Sequence, residues 1–72
     1  MAEVVIDEDI RHGKPVVKGT RITVGEVLGM LESGMDYDEI KKEYGLNKEQ
    51  IAAAVKWAGS MVRGEEVREA PA

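Results

Sequence analysis

Glycine stands next to lysine or threonine twice near the N-terminus, in Gly13-Lys14 and in Gly19-Thr20, and such pairs are typical of phosphate-binding loops. In a Walker A loop the lysine and the serine or threonine are adjacent, and a helix follows them directly. Here Pro15 follows the lysine and removes a backbone N–H that a phosphate would need. The order of these residues therefore predicts two turns and no nucleotide site.

Few residues could bind a metal ion or act as a nucleophile. The acidic run at 7–9 lacks the spacing of a calcium loop, so a polar turn is the simpler interpretation. His12 is the single histidine and the chain has no cysteine, which excludes a thiolate or multi-histidine site. No serine–histidine–aspartate arrangement and no paired carboxylates stand out. We therefore expect no enzyme activity, no metal and no cofactor.

The length and composition of the chain indicate a small aliphatic domain. It has 72 residues, a net charge of −4 and no phenylalanine. A chain of this size buries only about 60% of its unfolded surface. Because no disulfide can form, oligomerisation is the remaining means of stabilisation, and we expect a homodimer. The sequence shows no signal peptide and no apolar run of membrane-spanning length, so we expect a cytoplasmic protein that does not enter a membrane.

Three capping signals predict where helices begin. Each signal is a capping residue followed three positions later by glutamate or glutamine, so that each side chain bonds the other's backbone N–H. The pairs are Thr23 with Glu26, Asp36 with Glu39, and Asn47 with Gln50. Glycines supply the stop signals. The predicted helices extend over about 24–33, 37–44 and 48–63.

A β element is expected before the first helix. The β-branched runs at 4–6 and 15–18 are separated by turn residues and predict a β arm or hairpin over about 4–18. The whole pattern predicts a mainly α fold with one domain over 1–64. The remaining residues, 65–72, are expected to form a flexible acidic tail.

Apolar periodicity predicts which helix faces are buried. The residues expected to face the core are Val24, Val27, Leu28 and Leu31 in the first helix, Ile40 and Tyr44 in the second, and Ile51, Ala54, Val55, Ala58 and Val62 in the third. Gly25 and Gly29 weaken the first helix by roughly 1 kcal/mol each relative to alanine. Close approach of another backbone would explain both glycines, and an ordinary lapse in helix propensity is an equal alternative.

The second and third helices are joined by Gly45-Leu46-Asn47, a three-residue turn typical of helix-turn-helix units. If the third helix contacted DNA, the side chains able to do so would be Lys48, Gln50 and Lys56. Glu49 would repel phosphates in that arrangement. A helical protein-binding module is therefore favoured over direct DNA binding.

The middle of the chain is acidic. Residues 24–46 contain six acidic residues against Lys41 and Lys42, a balance that repels phosphates and attracts a basic partner. The candidate partner-binding residues are Asp36, Asp38, Glu39 and Glu43, together with Trp57 and Met61. A solvated helix face is the alternative for the acids, and the edge of the core is the alternative for the tryptophan.

The run from His12 to Val24, which we term the signature segment, resembles the hallmark of the prokaryotic family catalogued as domain of unknown function 433. The resemblance covers about residues 4–62. The residues that carry this motif are Gly13, Lys14, Pro15, Gly19, Thr20, Arg21 and Thr23. The family usually has proline where Gly45 stands and often has tyrosine where Trp57 stands.

The resemblance implies a homeodomain-like three-helix fold with an N-terminal β element. It also implies a dimeric antitoxin whose gene often neighbours that of a PIN-like nuclease toxin. In physical terms, Gly13 and Gly19 are expected to adopt backbone angles barred to other residues. Arg21, just before the first helix cap, could clamp an acidic side chain or have a purely structural role.

The functional hypothesis is a non-catalytic antitoxin-like module that neutralises a PIN-like nuclease toxin by covering its surface. The acidic middle of the chain would then cover the surface of the nuclease that normally binds RNA phosphates. The alternatives are a DNA-binding repressor subunit, which would regulate its own operator, and a structural dimerisation module.

Overall fold

The computed structural model of the chain describes residues 2–64. Two strands, β1 (Val4–Val5) and β2 (Val16–Val17), precede three helices, α1 (Val24–Glu32), α2 (Tyr37–Tyr44) and α3 (Lys48–Arg63). The mainly α fold predicted from the sequence is confirmed. The tail predicted over 65–72 lies outside the described residues.

The strands pair within the chain. β1 and β2 are antiparallel, with Val4 opposite Val17 and Val5 opposite Val16. On its other side β2 meets the residues that lead into α1, because the Val17 N–H donates to the carbonyl of Ile22 at 2.9 Å. β2 is therefore the middle one of three extended segments. β1 forms an outer edge of this small layer.

All three predicted capping boxes are present. The hydroxyl of Thr23 accepts from the backbone N–H of Glu26 at 3.0 Å, and the Glu26 carboxylate accepts from the Thr23 N–H at 2.9 Å. Asp36 with Glu39, and Asn47 with Gln50, repeat this arrangement at the starts of α2 and α3. The left-handed Gly45, with φ of 76°, ends α2 as its position after the helix predicts.

The core lies where α1 and α3 pack together and the hairpin packs onto α3. Its buried apolar residues are Val16, Val17, Val24, Val27, Met30, Ile40, Leu46, Ile51 and Ala54. Trp57 is half-buried and packs against this cluster.

Four residues that periodicity placed in the core are exposed, and those predictions are wrong. In α3 the exposed fractions are 41% for Val55 and 86% for Val62. Because both strands pack on α3, this helix turns Ala54 and Trp57 inward. The remaining exposed residues are Leu28 in α1 and Tyr44 in α2. Leu46, in the turn after α2, is fully buried and contributes to the core next to Ile40.

Among residues 2–64, the two glycines of α1 meet no close backbone neighbour. A Cβ built at Gly25 would have the Thr23 hydroxyl as its nearest neighbour, at 3.9 Å, and one at Gly29 would meet nothing within 4 Å. Close packing against another described part of the chain is therefore not their explanation. Among residues 2–64, no helix is long and apolar enough to cross a membrane.

Candidate functional site

The signature segment begins in a left-handed turn. Arg11, His12 and Gly13 have φ values of 51°, 59° and 81°, so two residues other than glycine adopt a conformation that costs each of them energy. Gly19 follows β2 with φ of 84°. The expectation that Gly13 and Gly19 adopt left-handed angles is confirmed.

The turn brings an arginine to the start of α1. Arg11 donates from Nη1 to Oε1 of Glu26 at 3.0 Å and to the carbonyl of Arg21 at 2.9 Å. The side chain of Arg21 itself makes no hydrogen bond or ion pair with the part of the chain that the structure describes. The predicted clamp on an acidic side chain therefore exists, but Arg11 supplies it and Arg21 contributes only its backbone.

The capping carboxylate of α1 is more acidic than an ordinary glutamate. The hydrogen bond from Arg11 lowers the pKa of Glu26, and the bond from the Thr23 N–H lowers it further. Charge on the cap also interacts favourably with the positive end of the helix. Both bonds to the Glu26 carboxylate thus join the turn at Arg11 to the start of α1.

Thr20 and the backbone of Pro15 also have structural partners in the signature segment. Thr20 donates its hydroxyl to the carbonyl of Val17 at 2.8 Å and accepts from the N–H of Ile22 at 3.0 Å, which closes the turn after β2. The carbonyl of Pro15 accepts from the N–H of Val24 at 2.9 Å. Lys14 is exposed. Within residues 2–64 no group of three histidine, aspartate or glutamate side chains could hold a metal ion.

The four acidic candidates lie at or on α2 and are all exposed. We term Asp36, Asp38, Glu39 and Glu43 the acidic surface. Asp36 and Glu39 each use one carboxylate oxygen in the capping box, at 2.9 Å. Asp38 and Glu43 make no hydrogen bond or ion pair within the described residues. The two capping acids are thus held in place, and the two others are available to a partner.

Trp57 and Met61 lie elsewhere, in an open groove of about 470 Å³ between β1 and α3. We term this the arm groove. Its lining residues are Ala2, Glu3, Val4, Ala53, Lys56, Trp57, Ser60 and Met61. None of them belongs to α2. The structure therefore divides the predicted partner-binding residues into an acidic group on α2 and an apolar group on α3.

The three candidate DNA-contacting residues are already engaged or unfavourably placed. Lys48 holds its ammonium 5.6 Å from the ring centroid of Tyr37, a cation–π contact. The side-chain oxygen of Gln50 accepts from the Asn47 N–H at 2.8 Å in the α3 cap. Gln50 also lines a hollow with Glu3, the residue before β1. Lys56 lines the arm groove.

Sequence reasoning missed two residues at these sites. Arg11 could not be recognised because its contact with Glu26 depends on a left-handed turn that propensity disfavours. Ile6 is exposed by 62% and directly follows β1. The alternation of Ala2, Val4 and Ile6 on one face of an extended strand was a signal that could have identified it.

Comparison with known proteins supplies the family. Residues 4–58 match the family described as "Protein of unknown function (DUF433)". The chain belongs to this family. The matched region of the chain includes the whole signature segment, both strands, α1, α2 and most of α3.

A curated relative and a solved structure both come from Mycobacterium tuberculosis. The relative, named "Putative antitoxin VapB45", is 33% identical over 54 residues, which span 75% of this chain and 23% of that protein. The crystal structure of Rv2018 has a TM-score of 0.64 and 33% identity, covering 72% of this chain and 24% of that one. The chain thus spans about a quarter of the length of the proteins that it matches.

Proposed function

We propose that the chain is a non-catalytic, antitoxin-like binding module that inhibits a PIN-like nuclease by covering its RNA-binding surface. The observation that carries the proposal is the 33% identity, over 75% of this chain, to a relative whose name describes an antitoxin. The relative is about three times as long as this chain, so the region shared with it is proposed to bind a partner and not to reproduce every activity of the longer protein. Such a module would act in the cytoplasm.

The acidic surface is the part of the module that would contact the nuclease. Asp38 and Glu43 are exposed carboxylates with no partner among residues 2–64, and the capping acids Asp36 and Glu39 lie in the same helix. A nuclease that binds RNA needs a basic surface for phosphates. Carboxylates placed on that surface pair with its lysines and arginines, and they exclude RNA because they cover its phosphate-binding surface.

Co-purification and nuclease assays test the proposal. The chain is co-expressed with the product of the neighbouring gene, and binding and RNA cleavage are measured for the wild type and for Asp38→Lys combined with Glu43→Lys. The charge reversal should weaken binding by roughly tenfold or more, because like charges then face each other, and cleavage should return. Circular dichroism checks that the total helix content of the variant matches that of the wild type.

The matched control reverses two exposed acids outside α2, Glu8 and Glu32, and so changes the net charge by the same amount. This control should bind and inhibit like the wild type. If both double variants weaken binding equally, the acidic surface is not the contact. If the wild-type chain forms no complex and cleavage persists, the antitoxin proposal fails.

The DNA-binding alternative has weaker support in the geometry, because Lys48 and Gln50 are engaged and Glu49 is exposed beside them. We expect no shift of the chain's own operator DNA at low salt. A shift that weakens steeply as salt rises would favour the repressor subunit instead. A chain that self-associates but binds neither nuclease nor DNA would be the structural dimerisation module.

A further inference from the structure

The outer edge of β1 has unused hydrogen-bonding groups. The carbonyl of Glu3 accepts from the Lys18 N–H at 2.8 Å, so the backbone of Glu3 faces β2. Pairing alternates along an antiparallel strand, and the N–H and carbonyl of Val4 therefore face away from β2. Within residues 2–64 nothing bonds to them. An exposed strand edge of this kind is a template for another strand.

The arm groove lies directly beside this edge. The side chain of Val4 packs against the core, and Ala2 and Val4 line the groove together with Ala53 and Trp57 of α3. A strand added to β1 would lie over the groove. Every second side chain of that strand would point down toward α3, because successive side chains of a strand alternate between its faces.

We propose that the added strand is β1 of a second copy of the chain, antiparallel to the first and centred on Val4. In this register the two Val4 residues exchange both backbone hydrogen bonds across a two-fold axis. Ile6 of the second copy then stands opposite Ala2 and points into the arm groove. Ile6 is exposed by 62% in the single chain, and this pairing buries it on the apolar wall beside Ala53 and Trp57.

The charges around the groove fit this register. Lys56 lines the groove and has no ion pair within the described residues, and three acids at 7–9 follow Ile6 of the second copy. Glu49 lies in an adjoining hollow with Lys56 and offsets part of the attraction, so the dimer should depend only weakly on salt. Glu3 stands opposite Val5 of the second copy, so no like charges face each other directly.

The pairing also addresses a weakness of the fold. A two-stranded sheet of two-residue strands is barely stable alone. Joining two copies through β1 makes one continuous sheet across the dimer and extends the apolar core of each copy by one isoleucine. This interface leaves the acidic surface on α2 uncovered. The dimer and the binding of a nuclease are therefore independent, and either one can fail without the other.

Light scattering over a range of concentrations tests the interface. The wild type should be dimeric at micromolar concentration. Ile6→Asp should be largely monomeric, because the variant loses the apolar contact of the isoleucine with the groove and Lys56 offsets only part of the cost of burying a carboxylate there. The matched control is Val62→Asp, which places the same charge at an apolar residue that is 86% exposed and lies outside the groove. This control should remain dimeric.

Disulfide trapping tests the register. The natural chain has no cysteine, so Glu3→Cys combined with Val5→Cys introduces the only thiols. These residues face each other across the proposed two-fold axis as a non-hydrogen-bonded pair, with Cα atoms about 4.5 Å apart. Mild oxidation should give a covalent dimer, whereas Glu3→Cys alone should not, because the two Glu3 positions are only diagonal neighbours.

A monomeric wild type at high concentration would overturn the proposal. A dimer that Ile6→Asp leaves intact would also overturn it, because the two copies would then associate through another surface. Covalent dimers that form equally from the single and the double cysteine variant would contradict the register.

Discussion

The signature segment and the arm groove differ in how completely their polar and apolar groups are used. In the signature segment and its flanks, Arg11, Thr20, Thr23 and Glu26 all bond to other parts of the chain. Thr23, a polar residue, is only 6% exposed. In the arm groove the outer N–H and carbonyl of Val4 have no partner among residues 2–64, and Trp57 is only half-buried.

The residues that identify the family are therefore different from the residues that we propose bind partners. The signature segment, which identifies the family best, connects the hairpin to α1, and its residues are needed for folding. The surfaces with unused binding capacity, the arm groove and the acidic surface, are built from residues that individually are unremarkable in the sequence. Substitutions in the two kinds of region should therefore have opposite profiles of stability and association.

The largest difference is expected between Val17→Ala and Met61→Ala. Val17 is fully buried in β2, and losing two methyl groups there should reduce the free energy of unfolding by roughly 2–3 kcal/mol. Met61 is 48% exposed at the rim of the groove, and its truncation should change stability by less than about 0.5 kcal/mol. Urea unfolding followed by circular dichroism measures both. Equal losses would mean that the groove is as much a part of the core as β2.

A smaller difference is expected between two caps with the same local geometry. Thr23→Ala removes the acceptor for the Glu26 N–H at a buried position, and it should cost about 1–2 kcal/mol. Asp36→Ala removes the equivalent acceptor in α2, but water can replace it at an exposed site, so about 0.5 kcal/mol is expected. Thermal unfolding compares the two. Thr23→Ser keeps the oxygen and should restore most of the loss; failure to do so would assign the effect to packing.

The same substitution should have opposite signs at two glycines. Gly19 has φ of 84° and nothing within 4 Å of a built Cβ, so Gly19→Ala should destabilise by about 1 kcal/mol through backbone conformation alone. Gly29 is helical and equally open, so Gly29→Ala should stabilise by about 1 kcal/mol. Thermal unfolding of both variants decides the matter. Destabilisation at Gly29 would indicate that another molecule packs closely there.

The parts of the fold that could be predicted depend on contacts close in sequence. Each capping box joins residues three apart, so Thr23 and Glu26 identify their own helix start. The left-handed glycines are likewise local, because the residue type is tied to the backbone angle. The resemblance of the signature segment then supplied the family, because glycines and a proline at fixed intervals are specific.

The parts that could not be predicted depend on how distant elements pack. Periodicity alone allows several faces of α3 to be buried. The position of the hairpin determines which face it is, so that Trp57 packs against the core and Val55 and Val62 are exposed. The clamp from Arg11 depends on a left-handed turn that no propensity scale favours. The arm groove needs both β1 and α3 in place, and its separation from the acidic surface could not be inferred from spacing.

The smallest expected effect concerns the pH dependence of the clamp at α1. Glu26 has a pKa below its ordinary value of 4.5 in the folded chain, chiefly because Arg11 donates to its carboxylate. A lowered folded pKa means that the unfolded chain binds a proton more readily than the folded chain does. The stabilisation is therefore complete above pH 4.5 and is lost as the pH falls through the folded pKa.

Arg11→Ala should remove most of this pH dependence. Both side chains are partly exposed, at 34% and 44%, so solvent screens the pair and the effect should be below about 1 kcal/mol. The wild type should be more stable than the variant at pH 6.5, and the difference should narrow at pH 3. Carboxyl ¹³C shifts should show the pKa of Glu26 rising toward its ordinary value in the variant. If that pKa does not rise, the bond from the Thr23 N–H is sufficient to keep the pKa of Glu26 low without Arg11.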